Sequence, residues 1–100
     1  MFIVSVMYPS GFPFDIGYYG KTHADLVNDR WKPLGLRNLQ VLLGQPGPDG
    51  TAPTYQVVAN LTFDSRAAFE GAASQHASEI FADIPNFTSA TPIVQLSEAA

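Results

Sequence analysis

The chain has 100 residues, which gives room for one domain with a single core and a radius of gyration near about 13 Å. Hydrophobic residues make up 46% and charged ones 14%, which excludes a disordered chain. A formal charge of -4 with five Lys and Arg leaves no basic stripe for nucleic acid or an anionic membrane surface, and the lack of cysteine removes disulfides, thiolate metal sites and thiol nucleophiles.

The opening residues 2–8 are rich in Val, Ile, Phe and Tyr and stop at Pro9-Ser10-Gly11, the pattern of a strand closed by turn residues. They lack the basic segment and cleavage site of a leader, and no apolar run approaches the roughly 20 residues that span a bilayer, so a cytoplasmic location is expected. Asp15 stands where an N-cap is wanted. Ile16, Tyr19, His23, Leu26, Val27 and Trp31 follow at spacings of three and four until Pro33, which predicts an amphipathic helix. Leu36–Leu43 reads as a second strand, and the Gly/Pro-rich run from Gly44 to Pro53 as a loop. Tyr55–Phe63 alternates with period two, Asp64-Ser65 caps a second helix carrying Phe69, Ala72, Ala73, His76, Ala77 and Ile80, and Thr91–Ser97 supplies a last strand.

The order βαββαβ predicts an α+β, ferredoxin-like fold over residues 1–100: a four-stranded antiparallel sheet with both helices on one face. Phe2, Val4, Val6 and Tyr8 point one way and Ile3, Ser5 and Met7 the other, while the second strand puts Leu39, Val41 and Leu43 opposite Gln40 and Leu42. Neither face is cleanly polar. Two helices cover only one of them, so the second face is expected to meet the same face of another copy, giving a homodimer packed sheet to sheet.

Only two histidines are present, and each falls on the apolar stripe of its helix. His23 and His76 are therefore expected to share the layer between helices and sheet. A buried imidazole there needs a partner or a ligand, because an unpaired buried polar group costs roughly 1–3 kcal/mol. Tyr8, Tyr18, Tyr19 and Tyr55 are candidate hydroxyl partners. The second helix is thin, with Ala67, Ala68, Ala72, Ala73 and Ala77 where Leu or Ile would fill a dense core. A cavity walled by such alanines and by Trp31, Phe63, Phe69, Phe81 and Phe87 would suit a small hydrophobic or aromatic ligand. The competing reading is that the helices close on the sheet and each histidine makes only a structural bond to a backbone carbonyl.

Two histidines with Asp83 or Glu79 lack the helical spacing of a zinc site, and the glycines form neither a nucleophile elbow nor a phosphate cradle, so no metal and no cofactor is expected. What remains is proton chemistry, which histidine carries well because its ordinary pKa is about 6.5. Isomerisation, aldol-type ring closure and oxygenation of an electron-rich aromatic substrate all fit.

The run Asp15-Ile16-Gly17-Tyr18-Tyr19-Gly20-Lys21-Thr22-His23-Ala24-Asp25-Leu26-Val27, with Gly35-Leu36 and Asp83-Ile84-Pro85-Asn86-Phe87-Thr88, resembles the EthD family, named for ethyl tert-butyl ether degradation. The resemblance spans nearly the whole chain, and Tyr18-Tyr19-x-x-x-His23 is its most specific element. It implies a dimeric α/β barrel built from two ferredoxin-like subunits. It places His23 at the family's helix-one histidine, and His76, by position alone, near the late second-helix histidine of cyclase-like relatives. Two functions follow from it: a cofactor-free enzyme with His23 and His76 as acid and base and Tyr18 or Tyr19 orienting, or an accessory protein that holds a hydrophobic intermediate for an oxygenase. In the first, Tyr19 joins the catalytic set, and Tyr8, Tyr18, Trp31, Phe63, Phe69, Ala73 and Phe87 contact ligand.

Overall fold

Strand-forming and helix-capping residues alternate along the chain, and the computed structural model, which describes residues 1–100, follows them closely. Strand β1 (Phe2–Pro9) leads into a helical stretch over 16–31, then β2 (Leu36–Leu43), β3 (Tyr55–Phe63), a second helix (Arg66–Ala82) and β4 (Ile93–Glu98). The Asp15 carboxylate accepts the Tyr18 backbone N–H at 3.0 Å and starts the first helix. Ser65 does the same for Ala68 at 3.1 Å in the second. Past Trp31 the chain tightens into a 3₁₀ turn, Lys32–Leu34, and leaves it at Gly35 with φ 107°. A side chain there would be strained, and its Cβ would meet that of Ala68 at 3.0 Å.

The sheet order is β2-β3-β1-β4, every pair antiparallel. Phe2, Val4 and Tyr8 of β1 and Val57, Ala59, Leu61 and Phe63 of β3 are buried beneath the helices. Trp31 closes this core from above: its ring packs edge-on to Phe63, and its indole N–H donates to the Ala72 carbonyl at 2.9 Å, which ties the two helices together.

The other face is uncovered. Cross-strand register lines up Leu42, Val58, Met7 and Ile93 in one row and Gln40, Asn60, Ser5 and Gln95 in the next. Neither row contains a charge, and Ser5 donates to the Asn60 side chain at 2.7 Å. The closed α/β barrel implied by the family resemblance is corrected here. The sheet is open, with β2 and β4 as free edges. Four strands are too few to curl into a closed wall, which takes about eight in the small barrels. No helix is long and apolar enough to cross a membrane.

Candidate functional site

The first helix does not run regularly. Between the α-helical turns Ile16–Tyr18 and Ala24–Trp31, residues Tyr19–His23 form a π-helical turn, in which the Ala24 N–H reaches back to the Tyr19 carbonyl. The wider turn sets Tyr19 and His23 over the same part of the sheet, with their rings 5.1 Å apart. Both are buried. Nothing in the apolar spacing signals this irregularity.

Two hydrogen bonds bring the segment after the second helix to the same place. The Asp15 N–H donates to the Phe87 carbonyl at 2.8 Å, and the Thr88 hydroxyl donates to the Pro13 carbonyl at 2.7 Å. Phe87 thereby covers the His23 ring at 4.7 Å. Asp83, at the end of the second helix, receives the His23 Nδ1–H on Oδ2 at 2.9 Å. Its other oxygen accepts the Tyr18 hydroxyl at 2.6 Å and the Asn86 amide at 2.9 Å.

The electrostatics follow from this arrangement. Burial tends to raise the Asp83 pKa, but the donors Tyr18, Asn86 and His23 outweigh it and hold the carboxyl below its ordinary value. An ionised Asp83 accepts only, so the shared proton sits on Nδ1 and Nε2 keeps a lone pair. Burial pushes the His23 pKa down, against the smaller opposing pull of Asp83, so the ring is neutral near pH 7. The Tyr18 hydroxyl is held protonated by its bond to Asp83. Burial pushes Tyr19 up to about 12 and raises Tyr8 as well, so both phenols remain donors.

His23, Tyr8 and Tyr19 line a cavity of about 60 Å³ between sheet and helices, walled elsewhere by hydrophobic side chains that include Trp31, Phe69 and Ala73. The His23 Nε2 and the hydroxyls of Tyr8 and Tyr19 bond no other protein group. Each therefore keeps some accessible surface, since no polar side-chain atom sealed from solvent lacks a partner, and all three residues stand on the wall of this space. The site therefore offers one basic nitrogen and two neutral hydroxyls in apolar surroundings. Phe63 and Phe87 back these walls without lining them, and Tyr18 acts on the site only through Asp83.

The expected convergence of both histidines is corrected. His76 lies at the solvent edge, with Nδ1 3.4 Å from Glu79 Oε1, an oxygen that also accepts from Arg30 at 2.9 Å. It does not line the cavity. The periodicity placed its Cα correctly on the stripe, but the rotamer turned toward a carboxylate in its own helix instead of an apolar hollow. Sequence reading weighed Asp83 only as a metal ligand and gave Asn86 no role. Their signal was the motif Asp83-Ile84-Pro85-Asn86-Phe87-Thr88, whose meaning needs the His23 contact. No three His, Asp or Glu side chains come together as a metal site would require.

The crystal structure of an EthD-like protein from Ralstonia eutropha JMP134 matches with a TM-score of 0.89 at 33% sequence identity, over 97% of this chain and 89% of that one. The chain belongs to the EthD family. A second EthD family structure, from Bacillus halodurans C-125, matches with a TM-score of 0.80 at 19% identity over 100% of this chain and 99% of that one, a likeness of fold alone. A protein from Arabidopsis thaliana shares the fold more distantly, with a TM-score of 0.68 at 16% identity over 99% and 94% of the two chains. No family model and no curated protein matches. In this EthD chain Tyr19 and His23 of the Tyr18-Tyr19-x-x-x-His23 motif line the cavity, while Asp83, itself bonded by Tyr18 and Asn86, holds the histidine and Phe87 covers it.

Proposed function

We propose that this EthD protein is a cofactor-free enzyme of the isomerase, cyclase or monooxygenase class, acting on an aromatic, polyketide-like or ether-derived substrate, with His23 as its acid and base. The observation that carries this reading is His23 on the wall of an apolar cavity with Nδ1 fixed on Asp83, which leaves the Nε2 lone pair without a protein partner. Nε2 takes a proton from an acidic C–H or O–H of the substrate. The Tyr19 hydroxyl donates a hydrogen bond to the oxygen on which negative charge develops, and the protonated imidazole gains the ionised Asp83 as a partner. Tyr8 stands beside Tyr19, their rings 6.1 Å apart, as a second donor.

The chain works as a single domain over residues 1–100, and two copies pair through the uncovered sheet face. The uncharged rows through Leu42 and Gln40 support that pairing. Light scattering that gave a monomer at micromolar concentration would remove it. Nothing in this chemistry needs an oxidising compartment, and a cytoplasmic site of action goes with it.

The test uses phloroglucinol and 2-naphthol, whose ring C–H groups next to oxygen exchange through the phenolate. Incubated with the protein in D₂O and followed by proton NMR, these positions should lose signal faster than in buffer, and His23→Gln should return the rate to background. Ligand that binds and is recovered with no exchange would favour the accessory role, holding a hydrophobic intermediate for a partner oxygenase.

A further inference from the structure

The cavity beside His23 is smaller than the ligands that its chemistry suits. An apolar cavity of about 150 Å³ accepts benzene, whereas this one measures about 60 Å³. An aromatic ligand must either protrude from it or displace part of its wall. The lining residues show where that can happen. All are buried or half-buried except two: Phe81, 42% exposed, and Val94, 44% exposed.

Their exposure has a structural cause. β4 is an edge strand whose only hydrogen-bonded neighbour is β1. Register pairs Val94 with Val6 and Leu96 with Val4, so both β4 residues point to the helix side of the sheet. Leu96 is nonetheless 40% exposed. Phe81 stands on the last turn of the second helix, where its ring has solvent on one side and the cavity on the other. The apolar lining thus reaches the surface at Phe81 and Val94, and Leu96, two residues along on the same face of β4, adds exposed apolar surface beside Phe2, Arg66 and Glu98.

We propose that ligand enters between Phe81 and Val94, with the Phe81 ring as the movable wall that sets the size of molecule admitted and the β4 face at Val94 and Leu96 as the seat of its apolar tail. This inference rests on the reading of the cavity as a ligand site. It adds the entrance, the residues that select size, and the class of ligand: a small planar molecule with its acidic group inward at His23 and its hydrocarbon part outward.

The experiment compares wild type, Phe81→Ala and Val94→Trp by two readouts. Both positions are exposed, and matching amide NMR spectra would establish that the variants fold. Xenon exchange, followed by ¹²⁹Xe NMR, reports access to the cavity whether or not His23 does any chemistry. Binding of phenol and 2-naphthol, followed by titration calorimetry, reports size selection. Phe81→Ala should speed xenon exchange and shift the affinity ratio toward 2-naphthol by about tenfold, and Val94→Trp should slow exchange and weaken both phenols by about tenfold or more. Xenon exchange within about twofold of wild type in both folded variants would overturn the proposed entrance. Failure of the catalytic reading would look different: the entrance variants would behave as described, but His23→Gln would leave deuterium exchange unchanged.

Discussion

His23 and His76 stand at comparable places, each on the sheet-facing stripe of its helix, yet they have opposite surroundings. His23 is buried beneath Phe87 on the wall of an apolar cavity, with one nitrogen bonded to an ionised Asp83 and the other without a protein partner. His76 lies at the solvent edge beside Glu79 and Arg30. Angular position on a helix therefore decides which side of the molecule a residue approaches. The polar partner within reach of its side chain decides where the ring goes.

The sharpest break in this comparison is exchange of each ring for an amide. His23→Gln should slow deuterium exchange of phloroglucinol by about 10²–10⁴-fold, the usual contribution of a general base, with the circular dichroism spectrum retained. A fall of less than about threefold would remove His23 from the chemistry. Next in size is Asp83→Asn, which keeps the shape but no longer fixes the proton on Nδ1 and should cost about tenfold or more in the same assay. Because Asp83 raises the His23 pKa against burial, this variant should also titrate His23 at a lower pH in an NMR titration. An unchanged or higher value would contradict the assigned hydrogen bond.

A smaller effect belongs to stability. The folded-state pKa of His23 lies below its ordinary 6.5, so in acid the unfolded chain binds a proton more readily than the native one. Its contribution should be complete above about pH 6.5 and fall away as pH drops through the native value, seen as a declining urea midpoint. His23→Gln should flatten that part of the curve. Asp83 is held below its ordinary 3.8, so its contribution should disappear only below that pH, as it protonates. At the far end of the comparison, His76→Gln should alter stability by less than about 0.5 kcal/mol and leave the exchange rate alone, as expected for a partly exposed pair. A loss of activity there would return His76 to the site.

Much of the architecture could be read from local signals. The boundaries of β2 and β3 agree with the expected 36–43 and 55–63, and Asp15 and Ser65 cap the helices as their positions suggest. β1 runs one residue beyond the expected 2–8, to Pro9, and the last strand spans Ile93–Glu98 where Thr91–Ser97 was expected. Tyr8, Tyr19, His23, Trp31, Phe69 and Ala73, all named from the sequence, line one hollow, whereas Phe63 and Phe87 lie behind it and Tyr18 reaches Asp83 instead of the hollow.

By itself the sequence determined the order of elements, the faces of the strands and the helix stripes on which both histidines stand, because periodicity, caps and turn residues act over a few positions. Tertiary structure alone decided that Asp83 and Asn86 hold this imidazole across a separation of 60 residues or more, that His76 turns outward, that the sheet stays open, and that Phe81 and Val94 flank the one exposed stretch of the cavity wall. Each of these depends on which distant groups come within about 3–6 Å of one another, or on which surfaces are left uncovered, and no local pattern encodes either.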